Sequence, residues 1–212
     1  MLESIPPIQA WDMVKNGKTV IVDVREPLQF ALGHPPGSLN VPYSLRGLND
    51  RLLSVYSPGR PVMVMANETE QALQAASQLQ DGSFEVSGVI VGGISAWMAE
   101  GLPSQTLPEI KSASVPDTIS GGACVVVDVR EPIEWEMGYI PGAMLISLGD
   151  LMDNLEDIPS EVPVLVICEA GIRSSSAASL LLANGFDQVI NVTDGTAGYR
   201  NNNLPMDFYS SE

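Results

Sequence analysis

Val20-Ile21-Val22-Asp23-Val24-Arg25-Glu26-Pro27 returns 105 positions later as Val125-Val126-Val127-Asp128-Val129-Arg130-Glu131-Pro132. Working outward, Gly33-His34-Pro35-Pro36-Gly37 answers to Gly138-Tyr139-Ile140-Pro141-Gly142. Val62-Met63-Val64-Met65-Ala66 lines up with Val164-Leu165-Val166-Ile167-Cys168, now at an offset of 102, so the copies differ by one short loop deletion. Near the ends, Gly93, Trp97 and Gly101-Leu102-Pro103 match Gly195, Tyr199 and Asn203-Leu204-Pro205. A period near ~100 residues is far longer than the roughly 20–50 of a solenoid or propeller unit. It means two tandem domains of one fold, assigned to residues 1–105 and 106–212.

Each copy reads as α/β. Residues 20–24 and 125–129 are short, β-branched and nearly continuous in apolar character, as a strand buried on both faces should be. Residues 61–65, 163–167, 86–91 and 188–192 read the same way. Helical segments are expected between them, over 71–79 and over 174–183, the second ending at Asn184-Gly185. Alternation of this kind implies a mainly parallel sheet covered by helices on both faces. Residues 103–116, with several Pro and Ser, read as a linker.

Composition narrows the function classes. The 212 residues are 45% hydrophobic and 17% charged, which is globular rather than disordered. Ten Lys and Arg stand against 26 Asp and Glu, a net charge of −16. Nucleic acids and anionic membranes both select for the opposite sign, so neither is an expected partner. The charge is uneven, with six basic and ten acidic residues in the first domain and four and sixteen in the second. Two Cys exclude a disulfide-rich secreted scaffold. The N-terminal stretch has neither a basic region nor an apolar core, and no apolar run reaches the ~18 residues of a membrane span. A soluble cytoplasmic protein is expected.

The chemistry gathers at Cys168. It follows a strand at the carboxyl edge of the sheet, where open α/β sheets bind ligands. Glu169-Ala170-Gly171-Ile172-Arg173-Ser174 then leads into a helix. A thiol at a helix start meets unpaired backbone N–H groups and the positive end of the dipole, which favour the reactive thiolate. Gly171 lets the loop curl its amides inward as an anion nest, and Arg173 is expected to set a cation opposite the sulfur. Glu169 opposes that charge unless its carboxylate points to solvent.

Taken together, Asp-Val-Arg-Glu-Pro on an early strand, Gly-x-x-Pro-Gly, the strand–Cys-x-x-Gly-x-Arg-Ser–helix unit and the late Gly…aromatic…Leu-Pro segment resemble the rhodanese family of sulfurtransferases. The resemblance covers nearly the whole chain as two rhodanese-like domains. It implies a parallel sheet of about five strands flanked by helices in each domain. It also implies a Cys168 persulfide as covalent intermediate, with residues Glu169 to Ser174 binding the substrate sulfur. A small donor such as thiosulfate, or a protein persulfide partner, would load the thiol, and a thiol or cyanide would unload it. No metal and no cofactor is implied. Four residues separate Cys168 from Arg173, whereas the phosphatases sharing this fold carry one more. That count favours sulfur transfer over a phosphatase or arsenate reductase. The first copy reads Ala66-Asn67-Glu68-Thr69-Glu70-Gln71, without nucleophile or Arg, so it is expected to be catalytically dead. The alternative from another class is a non-catalytic module that binds a partner or senses redox state through Cys168.

Other conspicuous residues have structural readings. Asp128 and Arg130, like Asp23 and Arg25, occur in both copies and are expected to form a loop brace, with support of the Cys168 site as a second role. Cys124 is expected to be a core thiol, the sole histidine His34 a turn residue, and Trp97 and Tyr199 packing residues. The acidic second domain should repel a dianionic donor such as thiosulfate at long range.

Overall fold

The computed structural model describes residues 2–122 and 124–208. The chain divides into two compact units between Thr106 and Leu107. Among the described residues, each unit holds a five-stranded, all-parallel sheet with helices around it.

In the first unit the strands are β1 (Ser4–Ile5), β2 (Val20–Asp23), β3 (Leu39–Asn40), β4 (Val62–Met65) and β5 (Val86–Ile90), in the order β1-β5-β4-β2-β3. The second unit repeats this with β6 (Glu109–Ile110), β7 (Val125–Asp128), β8 (Met144–Leu145), β9 (Val164–Ile167) and β10 (Val189–Val192), in the order β6-β10-β9-β7-β8. The registers repeat too: Asp23 lies opposite Met65, and Asp128 opposite Ile167. The central strands β2, β4 and β9 are buried at every position, as the apolar runs of β4, β9 and residues 20–22 require, and Asp23 at the end of β2 is buried against Arg25.

The first-unit helices are α1 (Pro7–Lys15), α2 (Pro27–Leu32), α3 (Leu48–Leu53), α4 (Thr69–Asp81) and α5 (Gly93–Ala99). The second unit has α6 (Val115–Gly121), α7 (Pro132–Trp135), α8 (Ile172–Ala183) and α9 (Gly195–Asn201), with 3-10 turns at Ser112–Ser114 and Leu151–Asp157. Pro27 and Pro132 open α2 and α7, where the missing N–H costs nothing. Trp97 and Tyr199 occupy matching places in the two cores. Trp97 packs with Ile21, Met63, Met65 and Ile90, and Tyr199 packs with Val126, Leu165, Ile167 and Val192.

The linker expectation for residues 103–116 is corrected. Glu109–Ile110 is the edge strand of the second sheet, paired with Asn191 and Val192. The next turn is fixed where Ser112 N–H and Oγ–H donate to the Asp194 carboxylate at 2.7 and 3.1 Å. Two residues among prolines carry no periodicity, so this strand is invisible to pattern reading. The helix expected over 174–183 starts two residues earlier, which places Ile172 and Arg173 inside α8.

Candidate active site

β9 delivers Cys168 to the mouth of α8, where the residue is buried with only 2% of its surface exposed. Gly171 makes the turn between them with φ +87°, and its N–H donates to Cys168 Sγ at 3.2 Å. A Cβ on Gly171 would lie 2.2 Å from the Thr193 carbonyl oxygen, so only glycine fits. The loop is pinned from α9 as well. Thr196 N–H donates to the Cys168 carbonyl at 2.8 Å, and Ala197 N–H to that of Glu169 at 3.1 Å.

On the sheet side, the sulfur meets a chain of polar groups. Cys168 Sγ–H donates to Ser174 Oγ at 3.4 Å, and Ser174 Oγ–H donates to Asn191 Oδ1 at 2.7 Å. Asn191 Nδ2 then donates to Glu109 Oε1 at 3.3 Å. Cys168, Ser174 and Asn191 are all buried, and Glu109 is half-buried on the edge strand.

Each cation of the site has a carboxylate partner. Arg130 Nε and Nη2 bind Asp128 at 3.0 and 2.7 Å, in a pair that is almost wholly buried. Arg130 Nη2 also donates to the Gly138 carbonyl and Nη1 to that of Glu134, bracing the β7–α7 connection. Arg173 gives Nη1 and Nη2 to the two oxygens of Glu134, at 2.6 and 2.7 Å. Hydrogen bonding from Arg173 holds the Glu134 carboxyl below its usual range and raises the guanidinium in turn. Glu169 receives Arg200 Nη2 and Thr196 Oγ1–H, and lies 3.8 Å from Arg130 Nη1.

These contacts add to two expectations. Arg173, expected as a cation opposite the sulfur, interacts with the charge of Cys168 and is at the same time held by both oxygens of Glu134. Glu169 does not simply point away from the site, because Arg200 neutralises it. Of the other loop residues, Ala170 and Ile172 (46% exposed) face outward, so only their backbones can serve the sulfur. Cys124 is half-buried at the fringe of the second core, and burial pushes its thiol up.

Glu134, Asn191, Arg200, Thr196 and Glu109 escaped sequence reading, yet the repeat itself could have found most of them. Their first-copy counterparts are Gln29, Val89, Met98, Ile94 and Ser4, and Cys168 and Ser174 correspond to Ala66 and Ala72. The whole polar array is replaced where the cysteine is absent. The Asp–Arg brace survives intact, with Arg25 Nε bound to Asp23 at 2.9 Å. In the first copy an open pocket remains at this place, lined by Gln29, Leu32, Asn67, Ile94 and Met98 above Arg25.

The family model for the rhodanese-like domain matches residues 7–100 and again 113–202. The chain belongs to the rhodanese-like domain family. A sulfurtransferase of Allochromatium vinosum is 29% identical over 99 residues, which cover 46% of this chain and 92% of that protein. The putative sulfur carrier protein YrkF of Bacillus subtilis strain 168 is 31% identical over 93 residues, 43% of this chain, so the match spans only half of that relative (50%). Among solved structures, a rhodanese-like domain protein from Staphylococcus aureus aligns in full with 49% of this chain, at 28% identity and a TM-score of 0.45. The thiosulfate sulfurtransferase of Pseudomonas aeruginosa aligns over 100% of this chain and 44% of its own, at 19% identity and a TM-score of 0.44. Among the described residues, no cluster of His, Cys, Asp or Glu could hold a metal ion, and no helix is long and apolar enough to cross a membrane.

Proposed function

We propose that this tandem rhodanese-like protein is a sulfurtransferase that carries sulfur as a persulfide on Cys168, and that its first domain does no chemistry. The observation that carries the reading is the N–H of Gly171 aimed at Cys168 Sγ at the start of α8. A donor hydrogen bond and a helix N-terminus both stabilise negative sulfur, the form that attacks. The thiolate attacks the outer sulfur of a donor, the donor's S–S bond breaks, and the leaving group departs with the bonding pair. A thiol or cyanide then removes the outer sulfur and restores the thiolate, in two half-reactions with ping-pong kinetics. The family match and the sulfurtransferase relative support this class of reaction. In the first domain, Ala66 offers no nucleophile and Gln71 no cation.

Intact-protein mass spectrometry after brief exposure to thiosulfate or cysteine persulfide tests the reading. One added sulfur, ~32 Da, is expected on the wild type, absent from Cys168→Ser and discharged by cyanide. No adduct from either donor would leave the non-catalytic binding module as the better account.

A further inference from the structure

The bidentate lock of Arg173 on Glu134 has a consequence for what the site accepts. We propose that Glu134 determines donor class: by occupying Arg173, it tunes the Cys168 site to a thiol-borne persulfide, R–S–SH, and against dianionic donors such as thiosulfate. This rests on the sulfurtransferase reading above and deepens it.

The first support is stoichiometric. Arg130, Arg173 and Arg200 are matched one to one by Asp128, Glu134 and Glu169. Cys168 and the carboxylate of Glu131 add further negative charge around Arg173, so no cation of the ring stands unmatched. A dianion entering such a ring finds no unmatched charge. On Arg173 it meets a guanidinium whose two terminal nitrogens already hold Glu134 in the fork geometry that makes such pairs strong, so the donors left over (Nε–H and the second hydrogen of each terminal nitrogen) come with a charge that is already matched. Arg200 Nη1 lacks a partner among the described residues, but that atom is buried and its guanidinium is already neutralised by Glu169.

The second support is that Glu134 is held ready. Its Oε2 accepts the N–H of Glu131 at 3.0 Å, completing the capping box of α7, so the carboxylate is fixed before any donor arrives. The third comes from the repeat. Both members of the pair become glutamine in the copy without a cysteine, Gln29 and Gln71, while the buried Asp–Arg brace is kept. A pair serving only the fold would have been kept with the brace.

A persulfide makes no demand on a free cation. The Cys168 thiolate attacks the outer sulfur, and the bond between the donor's two sulfurs breaks. R–S⁻ leaves with the electron pair and takes a proton from water, while Cys168–S–SH retains the donor's outer sulfur and its proton. With thiosulfate, the leaving group is sulfite, a second dianion formed inside the same ring.

Steady-state transfer to cyanide from cysteine persulfide and from thiosulfate, each corrected for the Cys168→Ser background, tests the proposal. The wild type should prefer the persulfide in kcat/KM by about a hundredfold, and its KM for thiosulfate should fall as ionic strength rises. Glu134→Gln should lower the KM for thiosulfate and narrow the preference by about tenfold. Glutamine preserves the capping box, and Gln29 already occupies this position in the first domain, so the variant should fold. A merely structural pair would instead depress both donors in parallel and leave the ratio unchanged, which overturns the proposal. So does a wild type that prefers thiosulfate or shows a salt-independent KM, measurements that need no variant. In those cases Cys168 still gains sulfur and the broader reading stands. Absence of any adduct from either donor would overturn both.

Discussion

At the residue scale, the cysteine loop was legible because its signal is local: strand, Cys, Gly, Arg, helix within seven positions. The groups that complete the site were not, because they arrive from β6, β10, α7 and α9, far apart in the chain. Asn191 illustrates this. In sequence it is one polar residue in an apolar strand, and only the fold shows Ser174 and Glu109 on either side of it. Replacing it alone by its first-copy counterpart, Asn191→Val, strips the buried Ser174 hydroxyl of its acceptor. An orphaned buried donor costs about 1–3 kcal/mol, whereas removing both members of a pair is nearly neutral. The double variant Ser174→Ala/Asn191→Val, which restores the Ala72/Val89 arrangement, should therefore recover much of the stability lost in the single one. Urea denaturation of both variants checks this, and simple addition of the two single losses would show that no such coupling exists.

At the element scale, the inner strands were readable from composition because burial on both faces imposes a nearly continuous apolar code. The edge strands β1, β3, β6 and β8 are two residues each, too short for any period to show. For β6 the decisive information lies outside the element. Its position depends on pairing with β10 and on Asp194, which receives both donors of the buried Ser112 at the start of the following turn. Asp194→Ala should cost about 1.5–3 kcal/mol, as expected for hydrogen bonds to a charged acceptor. The loss should be local. Amide exchange should accelerate across residues 109–114 while the β9 amides stay protected. Uniform acceleration throughout the second domain would mean that Asp194 supports the whole unit instead of its edge.

At the scale of the whole molecule, one fold carries two different polar interiors. The second domain uses its buried polar groups around Cys168, and the first holds the chain's sole histidine in the turn after α2. His34 is fully buried, stacked on Phe30 with ring centroids 3.7 Å apart, and its Nδ1 hydrogen-bonds the Phe30 carbonyl at 2.8 Å. Its Nε2 has no partner among the described residues. Protonation would bury a cation with a second, unsatisfied N–H, so burial lowers its pKa from 6.5 to about 4, with Arg25 adding to the shift. The unfolded chain therefore binds a proton between pH 6.5 and 4 that the folded domain refuses. Because the unfolded state is then the more protonated one, stability falls as pH falls through this window, by at most about 3 kcal/mol, and is unaffected by His34 above it. Tyr139, which carries no imidazole, stands at the corresponding place in the second domain. His34→Tyr should thus flatten the acid sensitivity of the first domain without altering that of the second. Denaturation followed at pH 4.5 and pH 7 by amide exchange reads the two domains separately. Carboxylate effects common to both proteins cancel in the difference between variant and wild type. Equal pH slopes for the two proteins would show that this buried histidine does not set the acid limit of its domain.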